Sequence, residues 1–318
     1  MEILIMKINK TNNASLENVK NATVIRAGNN TTVTTTSYYN SRGVIAKLPN
    51  GNYLNRRTGE VKPYQIHEHR SRLFNLNSVK RAMLQLRYII ESNFFGDKNE
   101  LFISLTYSKP QTDTKRLKKD WANFVKKLYR KYPDSNLKYI VIFEPQGKLV
   151  DEKPCFHIHF LLKGLVNMDK KILYKLWPKG FVDIKSIHYF DNDDHKVDEN
   201  PENIAAYVTS YAVNLNTQFV DHNVAKIMQE NKIEIITTSS NKQIAKGARL
   251  LFYPRYFRFY ACSSNVKMPR IYKNLPIDKI DFSSFGKLES SYGYEIFDDD
   301  KKVNEVQHFN YKKVKKQK

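Results

Sequence analysis

Two histidines one residue apart, His157 and His159, stand inside an otherwise apolar run at residues 156–162. Side chains alternate between the two faces of a β-strand, so both imidazoles leave one face while the apolar residues pack against the other. Residues 138–144 read as a preceding strand that ends in Glu144. If the connection between the two strands is a hairpin loop, the Glu144 carboxylate lies close to both imidazoles. Two imidazoles and one carboxylate that face one point can hold a divalent metal ion.

A third candidate element carries two tyrosines, Tyr207 and Tyr211, four residues apart. On a helix this spacing puts both tyrosines on one face together with Asn214, and opposite Val208 and Ala212. A metal that polarises a phosphate, beside a tyrosine hydroxyl that can attack it, indicates DNA strand cleavage through a phosphotyrosine link. We expect Mg²⁺ or Mn²⁺ as the metal, because hard divalent cations favour at least one oxygen ligand and tolerate imidazole.

Each of these signals is weak by itself. A His-x-His pair arises by chance in cores and on surfaces, a carboxylate at a strand end is usually solvated, and tyrosines are common core residues. The combination is more specific, because it joins an apolar strand, a carboxylate on the strand before it and a two-tyrosine helix after it. We therefore favour a metal site over a purely structural role for His157 and His159.

The overall composition points to a polyanionic partner. The 318 residues include 53 Lys and Arg against 32 Asp and Glu, a formal net charge of +21, and the phosphate backbone of DNA is the obvious candidate. The two cysteines, Cys155 and Cys262, provide neither a disulfide framework nor a cysteine zinc cluster. The sequence has no apolar run of about 18 residues. We therefore expect a cytoplasmic protein without a membrane partner.

The order of elements between residues 77 and 217 predicts an α+β fold. The predicted elements are a helix capped by Asn77, a strand at 101–107, a helix at 113–132, the two strands of the metal site, a helix at 169–177, a strand at 181–187, an acidic loop at 191–199, and the tyrosine helix with Asn200 and Pro201 at its start. This order fits an antiparallel sheet with helices packed on one side, as in the ferredoxin-like class. The helix at 113–132 carries eight basic residues, for which a solvated face is the favoured interpretation and a DNA-binding surface the alternative.

Both ends of the chain lie outside that pattern. Residues 1–76 predict a loosely structured or small β appendage, and its second His-x-His pair, His67 and His69, has polar neighbours that favour a solvated loop. Residues 218–280 form a C-terminal extension of the domain. Within it, 249–260 interleaves aromatics with arginines, which indicates either a half-buried strand or a surface that stacks unpaired bases. Residues 281–318 read as an acidic, turn-rich segment followed by a basic tail from Lys312.

The combined pattern resembles the HUH endonuclease superfamily, and within it the rolling-circle replication initiators, or Rep proteins, of phages and plasmids. The similarity rests on the His-hydrophobe-His motif at His157 and His159, on Glu144, on the strand at 101–107, and on the tyrosine motif. A Trp-x-x-Gly turn at 177–180 adds to it. The resemblance implies a palm-like HUH fold for residues 77–217. Many relatives carry a lysine directly before the second tyrosine, where this chain has Ser210, so any role of that lysine must be absent or supplied from elsewhere.

The resemblance implies a metal-dependent nicking enzyme that acts on single-stranded or hairpin origin DNA. Tyr207 would attack the phosphodiester and keep the 5′-phosphate as an ester, which leaves a free 3′-OH as a primer. Tyr211 would serve in the second transfer that closes the displaced strand. The sequence has no P-loop motif, so we expect a host helicase and a host polymerase as partners.

Rival interpretations remain open at the level of sequence. An HUH-type transposase or a relaxase-like strand transferase shares the chemistry, although relaxases place the tyrosine before the histidines and transposases are much shorter. A zinc hydrolase also uses His-x-His, but such sites need further ligands that do not follow His159 here. A non-catalytic DNA-binding protein would explain the charge alone, and it would lose no function when Tyr207 is replaced by Phe.

Overall fold

The structure is a computed structural model that describes residues 7–11, 14–16, 19–37, 45–49, 51–56, 58–63, 76–187, 204–238, 241–298 and 301–313. The described strands, in chain order, are β1 (Lys7–Thr11), β2 (Asn21–Ala27), β3 (Asn30–Thr36), β4 (Ile45–Lys47), β5 (Asn52–Asn55), β6 (Val61–Pro63), β7 (Glu100–Tyr107), β8 (Lys138–Val150), β9 (Lys153–Lys163), β10 (Gly180–Ser186), β11 (Leu215–Asn216), β12 (Ile235–Thr237), β13 (Gln243–Ala245), β14 (Tyr260–Cys262), β15 (Arg270–Pro276), β16 (Lys287–Asp298) and β17 (Lys301–Lys312). The described α-helices are α1 (Leu76–Glu91), α2 (Thr114–Lys131), α3 (Lys170–Leu176), α4 (Ile204–Val213) and α5 (His222–Glu230).

The chain divides into two compact units. One unit, here called the terminal unit, combines Met1–Glu68 with Pro269–Lys318, and the central unit is His69–Met268. These limits differ from the boundaries at 76, 217 and 280 that the sequence suggests. The difference arises because β1 and β3 pair with β16 and β17 from the other end of the chain, and local patterns do not reveal such long-range pairing.

The terminal unit contains a six-stranded antiparallel sheet in the order β1-β16-β17-β3-β2-β15. Alternate residues of β2, β3 and β17 are buried on one face, among them Val24, Val33 and Phe309. The prediction of an acidic, turn-rich segment at 281–300 is wrong over 287–298, which forms β16. Its acidic residues do not prevent pairing, because a lysine of β17, Lys302, forms an ion pair with Glu295 at 3.1 Å. Lys312, predicted to begin a tail, is the last residue of β17.

The central unit is built on a five-stranded antiparallel sheet in the order β10-β7-β9-β8-β14. The predicted α+β class is confirmed, and the predicted order of strand, helix, strand, strand, helix, strand and helix runs from β7 to α4. The apolar residues of β9 alternate as expected: Phe156, Ile158, Phe160 and Leu162 are buried in one cluster. A smaller sheet, β11-β13-β12, lies in the same unit with α5.

Helices lie over both faces of the five-stranded sheet rather than on one side as expected. The apolar stripe of α2, which includes Trp121 and Phe124, packs with Phe160 on the face opposite the histidines. On the histidine face, α1 and α4 pack with Phe102 and Leu161. The reason is visible in β7 and β9, because the positions that alternate with the buried row also include large apolar side chains that must be covered.

Two further local predictions are corrected by the structure. The first helix begins at Leu76, so Asn77 lies inside it and is not its cap. Residues 249–260, predicted as a strand, instead form a 3₁₀-helix at Ala248–Leu251 followed by turns, and extended pairing begins at Tyr260. Pro254 and the left-handed backbone of Tyr256, with φ 62°, interrupt the extended run. None of the helices in the described residues combines the length and apolar character needed to cross a bilayer.

Candidate metal centre

The hairpin of β8 and β9 brings the predicted carboxylate and imidazoles together. Glu144 is directly opposite His157 in the antiparallel register. Glu144 Oε1 lies 2.9 Å from His157 Nε2, and Glu144 Oε2 lies 3.1 Å from His159 Nε2. The two imidazole Nε2 atoms are 3.2 Å apart. The three side chains therefore present their ligating atoms to one point, as the hairpin interpretation predicts.

The geometry of these atoms fits a divalent cation. The ligating atoms of Glu144, His157 and His159 all lie within 4.8 Å of one another. Octahedral coordination at about 2.1 Å places neighbouring ligand atoms about 3.0 Å apart, close to the separations found here. Both carboxylate oxygens of Glu144 are buried, and neither receives a hydrogen bond of acceptable geometry despite the short contacts. A bound cation would satisfy these oxygens, whose burial is otherwise unfavourable.

Neighbouring side chains fix the orientation of His159. Its Nδ1 lies 2.7 Å from Ser104 Oγ on β7, and its ring stacks on Phe102 with centroids 5.4 Å apart and planes inclined by 12°. When Nδ1 donates its hydrogen to Ser104, Nε2 keeps the lone pair that a metal requires. Sequence reasoning did not assign a role to Ser104, although it lies within the strand predicted at 101–107.

The protonation states also suit metal binding. Burial would raise the pKa of Glu144, but the positive charge of Arg249 and the two neighbouring imidazoles outweigh it and hold that pKa well below its usual range. Burial lowers the pKa of His157 to about 4. At neutral pH, Glu144 is therefore an anion and His157 a neutral imidazole, which are the forms that bind metals.

Arg249 is the site residue that sequence reasoning misplaced. Its guanidinium forms an ion pair with Glu144 Oε1 and donates to the backbone oxygens of Pro145 and Asn214. The side chain is nearly buried, whereas the sequence suggested a contact with bases or phosphates. No local signal links Arg249 to Glu144, because the two residues come together only through the path of the loop after β13. Arg249 neutralises the buried carboxylate and fixes its orientation.

The predicted tyrosine helix is α4. Ser210 and Asn214 line the same cleft as the three candidate ligands, and Val208 and Ala212 are buried on the opposite face. Helical spacing puts positions 207 and 211 on the face of Ser210 and Asn214. The side chains of Tyr207 and Tyr211 lie outside the described part of the structure, as do Asn200 and Pro201.

The cleft beside the candidate ligands has a volume of about 890 Å³. Its lining includes Lys148 and Lys242, two cations that could meet a phosphate backbone, and Phe181, whose ring is 65% exposed. These lysines lie in the cleft where Ser210 replaces the lysine of the resembled motif. The second histidine pair, His67 and His69, and the acidic stretch at 191–199 fall outside the described residues.

Comparison with protein families gives a match over the middle of the chain. Residues 100–216 match a family model of the replication-associated protein ORF2. The matched range contains Glu144, both histidines and both tyrosines, and it ends before Arg249. Searches of curated proteins and of solved structures give no match. Residues 100–216 are thus similar to replication-associated proteins of the ORF2 family.

Proposed function

We propose that this protein is a replication initiator of the HUH endonuclease type, which nicks single-stranded or hairpin origin DNA and later rejoins it. The observation that carries the proposal is the convergence of Glu144, His157 and His159 inside the segment that resembles replication-associated proteins. A structural cluster would not need two buried carboxylate oxygens without hydrogen bonds. A metal-dependent reaction at a phosphate explains both the ligands and the family similarity.

In this proposal the side chains of the cleft divide the work. Glu144, His157 and His159 hold Mg²⁺ or Mn²⁺, and Arg249 and Ser104 keep the ligands in place. When bound, the metal supplies charge neutralisation at a non-bridging phosphate oxygen and at the leaving oxygen. Lys148 and Lys242 line the cleft and attract the phosphates on either side of the scissile bond.

Tyr207 is the proposed nucleophile for the first cut. Its hydroxyl oxygen forms a bond to phosphorus while the bond to the 3′-oxygen breaks. The tyrosine gives up its proton, and the departing oxygen gains one as a 3′-OH that primes synthesis. The phosphotyrosine ester conserves the bond for a later rejoining step. Host proteins would unwind and copy the DNA.

Tyr211 is the proposed nucleophile for the second transfer. One helical turn, about 5.4 Å of rise, separates it from Tyr207 on α4, so both positions face the same cleft. After one round of synthesis, attack by Tyr211 on the regenerated junction releases the first strand end for closure. A role for Tyr211 in packing alone would leave only one nucleophile and a different set of products.

Mapping the covalent adduct tests the assignment. A labelled origin oligonucleotide incubated with Mn²⁺ should leave a peptide that carries a 5′-phosphate on Tyr207, which mass spectrometry identifies. Tyr207→Phe should lose most of this adduct. Tyr211→Phe should still form the adduct but fail to release closed circles. Tyr174→Phe, which alters a 40%-exposed tyrosine of α3, is the matched control and should leave both steps unchanged.

Three outcomes would contradict the proposal in different ways. An adduct on Tyr211 in the unaltered protein would reverse the order of the two nucleophiles. Tight DNA binding with no adduct on either tyrosine would indicate a non-catalytic DNA-binding protein. Cleavage that continues undiminished in excess EDTA would remove the metal from the reaction.

A further inference from the structure

Tyr256 is an exposed aromatic residue in a strained backbone conformation. Its side chain is 72% exposed, and its φ of 62° lies in the left-handed region, which a bulky side chain rarely adopts. A ring this exposed contributes little to the core, and the strain opposes folding. Neither feature is explained by the stability of the central unit, so an explanation in terms of a ligand is needed.

The residues around Tyr256 divide into buried anchors and exposed cations. Tyr253, Phe257 and Phe259 are buried, whereas Arg255 and Arg258 are exposed. The Arg255 guanidinium lies over the Tyr256 ring, 4.7 Å from its centroid. The segment therefore holds one aromatic ring at the surface between two positive charges, on a rigidly anchored base.

Helix α2 adds further positive charge to the same surface. The ammonium group of Lys118 lies 4.6 Å from the centroid of the Phe257 ring. Its neighbours Lys115 and Lys119 are exposed and four residues apart, a spacing at which like charges destabilise a helix. All residues of α2 are described, and its one carboxylate, Asp120, is buried against Tyr107 and a lysine outside the helix. Nothing on α2 offsets the repulsion.

This surface lies directly behind the candidate metal centre. Phe257 packs against Phe143 and Phe156, with ring centroids 6.2 and 5.6 Å away. These two phenylalanines precede Glu144 and His157 in their strands, so their side chains leave the opposite face of the sheet. A flexible strand that leaves the cleft at this end of the sheet can therefore reach Tyr256 by passing around the edge.

We propose that Lys115, Lys118, Lys119, Arg255, Tyr256 and Arg258 form a rear patch that binds single-stranded DNA next to the segment held in the cleft. The cations contact phosphates, and Tyr256 stacks on an unpaired base, the combination that fits single strands in general. The identity of the ligand rests on the proposed nicking function. The patch also accounts for the strain at Tyr256, because the left-handed turn lifts the ring out of the core.

Replacing Tyr256 by Gly separates binding from folding. Glycine adopts a positive φ without strain, so the melting temperature should stay the same or rise. The affinity for a labelled oligothymidine, measured by fluorescence anisotropy, should fall about 10-fold through loss of stacking. An oligothymidine with abasic sites should bind the unaltered protein more weakly but make no further difference in Tyr256→Gly. Unchanged affinity for the intact oligonucleotide would overturn the proposal.

A pair of double variants on α2 provides the matched control for charge. Lys115→Gln/Lys119→Gln and Lys127→Gln/Lys131→Gln each remove two exposed charges four residues apart. The first variant should lower the salt dependence of single-strand binding by about 1.4 in the logarithmic slope, and the second should lower it by less. Equal effects would overturn a local patch in favour of diffuse attraction.

The adduct assay keeps this proposal distinct from the nicking function. If Tyr256→Gly binds oligothymidine as tightly as the unaltered protein while the adduct still forms on Tyr207, the rear patch is wrong and the nicking function stands. If affinity falls as expected and no adduct forms in any variant, the patch stands and the nicking function is wrong. A preference of the rear patch for duplex over single-stranded DNA would contradict the stacking role of Tyr256.

Discussion

Two buried carboxylates near opposite ends of β9 have very different environments. Glu100, opposite Lys163, accepts hydrogen bonds from the backbone N–H groups of Phe95, Gly96 and Asp97 and forms a 2.6 Å ion pair with Lys163. Glu144, opposite His157, receives no hydrogen bond of acceptable geometry. Both side chains are almost fully buried. The difference teaches that burial alone does not identify a functional carboxylate, whereas missing partners beside metal-type ligands do.

The largest expected effect in this comparison is the loss of metal-dependent cleavage. His157→Ala/His159→Ala removes two of the three ligands at the Glu144 end of β9. Cleavage of an origin oligonucleotide should fall by about 10³-fold, since a metal contributes several kcal/mol to charge stabilisation at the phosphate. Binding of the same oligonucleotide should change little, because the net charge of +21 supplies the affinity. Cleavage that survives in this variant would remove the site from the reaction.

The response of stability to Mn²⁺ should distinguish the two carboxylates directly. A ligand at 100-fold excess over its Kd stabilises the folded state by about 2.7 kcal/mol. We expect Mn²⁺ to raise the melting temperature of the unaltered protein and of Glu100→Gln, each compared with itself in EDTA. Glu144→Gln should lose this response, because it removes the only anionic ligand of the three. A full response in Glu144→Gln would show that the metal binds elsewhere.

The smallest expected effect concerns the fully satisfied carboxylate. Glu100→Gln leaves Lys163 with a weaker partner and replaces an acceptor by a donor near backbone N–H groups, which should lower the free energy of unfolding by about 2 kcal/mol. Urea unfolding measures this change, and the cut position should not move. Glu234→Gln, whose ion pair with Lys246 is solvent-exposed, is the control and should change stability by less than about 1 kcal/mol. Equal effects of both substitutions would contradict a special role for burial at Glu100.

The difference between Glu100 and Glu144 is only partly visible in the sequence. Residues 138–144 and 156–162 predict two strands through their apolar composition, and a hairpin between them brings Glu144 to His157. Glu100 carries no comparable signal, because its partners are backbone groups of the preceding turn and a lysine on another strand. Arg249 is also invisible in this sense. Its run of aromatics and arginines predicts a strand, yet the structure buries the first arginine at the site and exposes the later ones.

The sequence by itself determined the elements whose patterns are local. The two-residue period of β9, the apolar stripe of α2 and the four-residue spacing of the tyrosines each follow from backbone geometry, which acts over a few residues. Tertiary structure decided the rest: the arrival of Arg249 beside Glu144, the helices on both faces of the sheet, and the pairing of β3 with β17. These features depend on contacts between residues far apart in the chain, and such contacts form only where the whole fold buries enough apolar surface to offset the entropy of closing long loops.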